Sequence, residues 1–257
     1  MPVSFPTPLY QQAAESIAQY LSTAPEVDTV LVVNSCARGK ATPESDLDMG
    51  VITVEGTSFD AVARLKQQWR QAVAELPPVQ GFKQSGRNAY VHLPVTNGEF
   101  VPSVWDEGGG PDNFEISVGN WLAHSVPLSD PGPHFAKLQS TWLPYYDDDL
   151  RPQRLLMVQR ACLADLDYVS LYVGRELYFQ AFDRLYKAFQ EFLQALFIAR
   201  RCYPVAYNKW IHEQVVEWLG LVDLYPQFAP ILSVHNLESR ELDDHAEALR
   251  MLLDQWT

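Results

Sequence analysis

The chain predicts an α/β (α+β) core on a mixed central sheet, residues 1–145, followed by an all-α helical bundle over residues 146–257. Three observations carry that prediction. In the first half, β-branched runs alternate with amphipathic helical stretches. Beyond about residue 145 the strand signals vanish. Between Gly174 and Arg201, Leu185, Phe189, Phe192, Leu193, Leu196 and Phe197 recur at i, i+3, i+4 and i+7, the spacing of one buried helix face. The break falls near Pro144-Tyr-Tyr-Asp-Asp-Asp149, whose acidic run reads as a solvated linker.

Taken in order, residues 8–22 read as a helix, with Leu9, Ala13, Ile17, Tyr20 and Leu21 at helical spacing and Pro8 at its start. A strand is expected at about 28–34, carrying Val30-Leu-Val-Val33, and a second at about 46–54. Residues 58–75 form a helix through Phe59, Val62, Leu65, Trp69 and Val73, which Pro77-Pro78 ends. Residues 87–95 alternate as a strand does. The Gly-rich stretch 107–112 is a connector, because no helix start with Lys-Ser/Thr follows it. Residues 113–118, Asn-Phe-Glu-Ile-Ser-Val, alternate again and predict a further strand. Helices near 151–172, 208–219 and 242–256 complete the bundle.

Composition narrows the function classes. With 257 residues the chain suits one large or two modest domains. No apolar run reaches the ~18 residues of a membrane span. The N-terminal segment lacks a basic region followed by an apolar one, so no secretory signal is expected. Cys36, Cys162 and Cys202 are scattered and odd in number, which points to reduced thiols in a cytoplasmic protein. The 19 basic against 32 acidic residues give a net charge of −13, which argues against a nucleic-acid partner. The same acidity would suit a cationic acceptor, and it also serves solubility. None of the six histidines pairs at zinc-ligand spacing, and no Gly-x-Ser-x-Gly nucleophile motif occurs.

The chemistry concentrates in residues 34–48, Asn-Ser-Cys-Ala-Arg-Gly-Lys-Ala-Thr-Pro-Glu-Ser-Asp-Leu-Asp. Asp46 and Asp48 stand one residue apart on an expected strand, so both carboxylates project from one face. Held so close, they repel unless a cation lies between them, and their hard oxygens suit Mg2+. Ser35 and the turn amides upstream offer donors to phosphate oxygens. This string resembles the signature of the DNA-polymerase-β-like nucleotidyltransferase superfamily, in the form found in its small bacterial members and in aminoglycoside nucleotidyltransferases. Ser35, Ala37, Arg38, Gly39, Ala41, Ser45, Asp46 and Asp48 match it. The glycine that usually opens the signature is Asn34, one of the few other residues that tolerate left-handed backbone.

The resemblance implies a nucleotidyltransferase core in which Asp46 and Asp48 bind Mg2+. It also implies a third carboxylate from a neighbouring strand, and Glu115 in the run 114–118 is the candidate metal ligand and general base. Lys209, in Tyr207-Asn-Lys-Trp210, is similar to a lysine of related antibiotic-modifying enzymes that reaches the triphosphate. Arg38 either contacts phosphate or braces its loop, and Ser45 either caps its turn or holds a phosphate oxygen. Ser129-Asp-Pro-Gly132 resembles a turn late in such catalytic domains. The expected activity is transfer of a nucleoside monophosphate, AMP from ATP, to a hydroxyl of a small molecule, with an aminoglycoside-like antibiotic as first acceptor. The rival expectations are an antitoxin-like regulatory module acting on a partner protein, and a silent nucleotide-binding protein.

Overall fold

A run of β-branched residues favours a pleated, covered surface, and Val27–Val32 forms β1 in the middle of a small sheet. The computed structural model describes residues 3–101 and 114–257. β1 pairs antiparallel with β2, Leu47–Thr53, setting Val30 against Val51 and Val32 against Met49. On its other side β1 takes β5, Val126–Pro127, antiparallel. Two short strands, β3 (Val91–His92) and β4 (Val95–Thr96), run parallel to β2. The sheet is therefore small, open and mixed.

Every residue of β2 is buried, so both faces need cover. On one face, α1 (Pro8–Leu21), α3 (Phe59–Ala74) and α4 (Pro77–Lys83) bring Ile17, Trp69 and Phe82 into the cluster that holds Val30, Val32, Met49 and Val51. Gly50 faces the other way. There Trp121 of α5 (Asn120–His124) comes so close that a Cβ on Gly50 would lie 3.0 Å from the indole. Helix α6, Pro133–Trp142, packs on β1 and β2. These elements form one compact unit, the chain up to Val101 with Ser117–Leu143.

The start of α6 is fixed by β1. The Asp28 carboxylate accepts the backbone N–H groups of His134 (2.9 Å) and Phe135 (2.8 Å), donors that a helix start leaves without an internal partner. Thr29 Oγ1 donates to Asp28 at 2.9 Å and accepts from the Gly132 N–H at 2.9 Å. Gly132 is needed there because an added Cβ would sit 2.3 Å from the Asp28 carboxyl carbon and 2.5 Å from its carbonyl oxygen.

The second unit comprises Pro144–Thr257 together with residues 114–116. Its regular elements, among the described residues, are helical: α7 (Leu150–Val173), α8 (Tyr178–Ala199), a π-helical turn Glu213–Trp218, a 3-10 turn Tyr225–Gln227, α9 (Phe228–Leu232) and α10 (Glu241–Trp256). α7 and α8 form the principal helix pair, and α10 packs on both. The apolar stripe from Leu185 to Phe197 is buried as its spacing predicts. Polar groups share this core. Asp165 of α7 pairs with Arg184 of α8 at 2.5 Å. Glu191 is buried, and its Oε2 has no hydrogen-bond partner among the described residues.

Two local expectations are corrected, and a third is extended. The predicted strand at 113–118 is helical where it is described: a π-helical turn, Glu115–Gly119, runs into α5. Asn113 and the Gly-rich stretch 107–112 lie outside the described residues. The large apolar residues buried there are Phe114, Val118, Trp121 and Leu122, a helical spacing hidden behind the five-residue alternation. The strand at 87–95 is broken at Leu93-Pro94 into β3 and β4, as proline has no N–H to give a ladder. Pro77-Pro78 opens α4 as well as separating it from α3, the helix-start position that proline suits.

Two measurements check this packing. Gly132→Ala is expected to lower stability by about 1–3 kcal/mol through overpacking, read as a reduced urea midpoint; an unchanged midpoint would refute the close approach. Burial pushes the Glu191 carboxyl up to about 9, with the Asp165 charge adding and Arg184 and Lys187 opposing. A carboxyl raised by folding contributes stability below its unfolded value near ~4.3, and that contribution is lost as pH rises through the folded value. Thermal unfolding followed from about pH 5 to 9 is therefore expected to show a falling Tm that Glu191→Gln flattens.

Candidate active site

The first unit gathers the signature residues around the loop that joins β1 to β2. Val33 is extended and donates its N–H to the Asp48 carbonyl at 3.1 Å. Asn34 then turns left-handed with φ 54°, opening the single helical turn α2, Asn34–Ala37. The Lys40 N–H bonds the Ser35 carbonyl at 2.9 Å, and Gly39 leaves the turn with φ 70°. Asparagine thus adopts the backbone region that glycine enters freely, at the cost of a Cβ.

Residues 42–45 form the next turn. Ser45 Oγ accepts the Thr42 N–H at 3.0 Å, so its hydroxyl caps the turn. The Tyr10 hydroxyl, from α1, donates to the Ser45 carbonyl at 2.5 Å. The chain then enters β2 with Asp46 half-buried just before the strand and Asp48 inside it, 6% exposed. Ser35 is half-buried and Arg38 is buried at the end of α2.

The neighbouring strand supplies two partners that sequence reasoning missed. β3 sets His92 opposite Asp48 in register, and His92 Nδ1 lies 3.3 Å from Asp48 Oδ1. One step back, the Asp46 carboxylate acts on the Tyr90 hydroxyl and pushes the phenol above its usual value. The spacing Tyr90-x-His92 repeats Asp46-x-Asp48, a signal the sequence held. Only the parallel pairing of β3 on β2 turns it into a contact.

The acid pair is felt by its neighbours. The Cys36 thiol is pushed up to about 12 by burial first, then by the charges of Asp48 and Asp46. It therefore stays protonated near neutrality and is no nucleophile. Tyr10 is raised for the same reasons, burial leading, then the Cys36 and Asp46 charges.

The remaining candidates belong to the second unit. Glu115 is fully buried on a helical turn, not on a strand. Its Oε2 accepts from Gln194 Nε2 at 2.5 Å, and Arg154 stands 3.6 Å from its Oε1. Lys209 is exposed, and its carbonyl accepts from Gln214 at 2.9 Å. Among the described residues no group of three or more His, Cys, Asp or Glu side chains is arranged to hold a metal ion. The structure thus brings Ser35, Arg38, Ser45, Asp46 and Asp48 into one loop-and-strand assembly, and it engages Glu115 with Arg154 and Gln194.

No protein-family model matches the chain, and no curated protein matches it. Asp130, within the turn before α6, is exposed, and the fixed residue of that turn is Gly132.

The left-handed turn at Asn34 can be tested directly. Asn34→Val is expected to cost about 1–2 kcal/mol, the penalty of a Cβ-branched residue forced to positive φ. Asn34→Gly should stay within about 0.5 kcal/mol of the parent. Equal urea midpoints for all three would show that the turn does not need this backbone.

Proposed function

We propose that the chain is a Mg2+-dependent nucleotidyltransferase that moves a nucleoside monophosphate, AMP from ATP, onto a hydroxyl of a small molecule. An aminoglycoside-like antibiotic is the first acceptor to try. The observation that carries this reading is the geometry of residues 33–48: a left-handed turn at Asn34, one helical turn, and an acid pair entering β2 beside it.

Asp46 and Asp48 suit a hard dication. They are paired oxygen donors one residue apart, and their combined charge is strong enough to help push the buried Cys36 thiol up to about 12. When bound, the ion would offset triphosphate charge and acidify the acceptor hydroxyl. The chain's own residues have distinct duties. Asp46 and Asp48 would hold the cation, with His92 orienting Asp48 through a hydrogen bond and Tyr90 standing beside Asp46. Ser35 and the amides of the turn take phosphate oxygens. Arg38 offers positive charge to the nucleotide. In the transfer, the acceptor oxygen bonds the α-phosphorus as the bond to the pyrophosphate oxygen breaks. The hydroxyl proton passes to a carboxylate, which this reading assigns to Glu115. The free state of all three cysteines accords with a cytoplasmic setting.

Nucleotide binding without transfer is the second reading, and one observation favours it. Glu115 is held in a buried pair with Arg154 and by Gln194, which gives its carboxylate a structural duty of its own.

Incubation with labelled ATP, Mg2+ and a panel of aminoglycosides and hydroxylated metabolites separates the readings. Transfer is expected, with Asp46→Asn and Asp48→Asn reducing it to background. Glu115→Gln should lower it by about 10²–10⁴-fold while calorimetric ATP binding persists. Binding of ATP without any labelled acceptor selects the silent reading. Failure to bind ATP and Mg2+ with both aspartates intact overturns both.

A further inference from the structure

The second unit holds a pocket of about 290 Å3 that the transfer reading does not use. Its floor is Phe189 of α8 and Phe228 of α9, both buried. Tyr186 and Tyr225 stand beside them, and exposed Asn208 and Ala229 lie at the rim. The rings meet steeply: Phe189 and Phe228 at 5.3 Å and 81°, Tyr225 and Phe228 at 6.0 Å and 63°. They form walls around a space instead of a closed stack.

The described lining contains no Asp, Glu, Lys, Arg or His. A charged ligand would find no counter-charge in this lining. Aromatic walls reward flat, polarisable surface. Asn208 is the one side-chain amide of the lining, and an amide presents a donor and an acceptor side by side. The volume lies near the lower end of the ~300–1,000 Å3 common for small-molecule pockets, which limits the occupant to one or two rings.

We propose that this pocket binds a neutral, flat nitrogen heterocycle with adjacent hydrogen-bond donor and acceptor, the chemistry of a nucleobase or nicotinamide edge, read by Asn208 between the walls of Tyr186, Phe189, Tyr225 and Phe228. The site lies wholly within the second unit and does not rest on the proposed transfer. Free bases without phosphate or metal therefore test it alone.

The intact chain is titrated with free adenine, cytosine and nicotinamide, and separately with toluene and tetramethylammonium, by ligand-observed NMR and calorimetry. At least one heterocycle is expected to bind with a dissociation constant at or below about 1 mM. Ala229→Trp, which fills the rim, should abolish that binding, and Asn208→Leu should weaken it about 10-fold while toluene is retained. Binding at the acid pair of the first unit is told apart because Ala229→Trp leaves it untouched. Circular dichroism confirms that each variant is folded, and Tyr186→Ala replaces Ala229→Trp if the latter is not. The proposal is overturned if no heterocycle binds at about 10 mM. It is equally overturned if the rim variants leave binding unchanged, if Asn208→Leu binds as the parent does, or if tetramethylammonium binds as tightly.

Discussion

The register between β1 and β2 is the constraint on which the acidic end of the first unit depends. Val32 sits opposite Met49, and the Val33 N–H is spent on the Asp48 carbonyl. The backbone that launches the turn at Asn34 is thereby bonded to the residue that carries one of the two acids. A slip of one residue would exchange the faces of β2. Met49, fully buried, would leave the cluster under α1, and Asp48 would enter it. The apolar pattern of β2 and the position of its carboxylates are therefore set by one choice.

Two acids beside a nearly dry sheet need partners, and the kind of partner matters. His92 of β3 brings a hydrogen bond to Asp48, and Tyr90, one step before the strand, stands by Asp46, neither with a fixed positive charge. After burial, the negative charge of the acids helps to raise the Cys36 thiol and the Tyr10 phenol.

Long periodic elements were legible in the chain, and short ones were not. α1, α3, α7, α8 and α10 follow their apolar spacing to within a few residues, because each buries a whole stripe against neighbours. Residues 114–118 show the opposite case. Five alternating residues favour a strand when read alone, yet the next turn, through Trp121 and Leu122, extends a helical face and decides the outcome. In the candidate site, the loop 34–48 was visible as a string because its chemistry is local. His92 and Tyr90 were not, since their roles come from a parallel pairing that no local pattern specifies. Asp28 was missed for the same reason: it caps a helix that begins more than a hundred residues later.

The second unit raises a different question, why a helical core should hold so many ionisable groups. Asp165 with Arg184 and Glu115 with Arg154 are buried or nearly so, and buried pairs seldom add net stability over well-packed apolar residues. What they add is discrimination. A stripe of leucine and phenylalanine tolerates a slide of one helical turn far better than an ion pair does, because the slide strands a charge out of water. Asp165 on α7 meets Arg184 on α8, so this pair fixes how the two longest helices face each other. Glu115 extends the same logic. Held by Arg154 from α7 and Gln194 from α8, it ties residues 114–116 to that helix pair. Its carboxylate therefore has a positional duty in this unit, joining a short segment to both long helices at once.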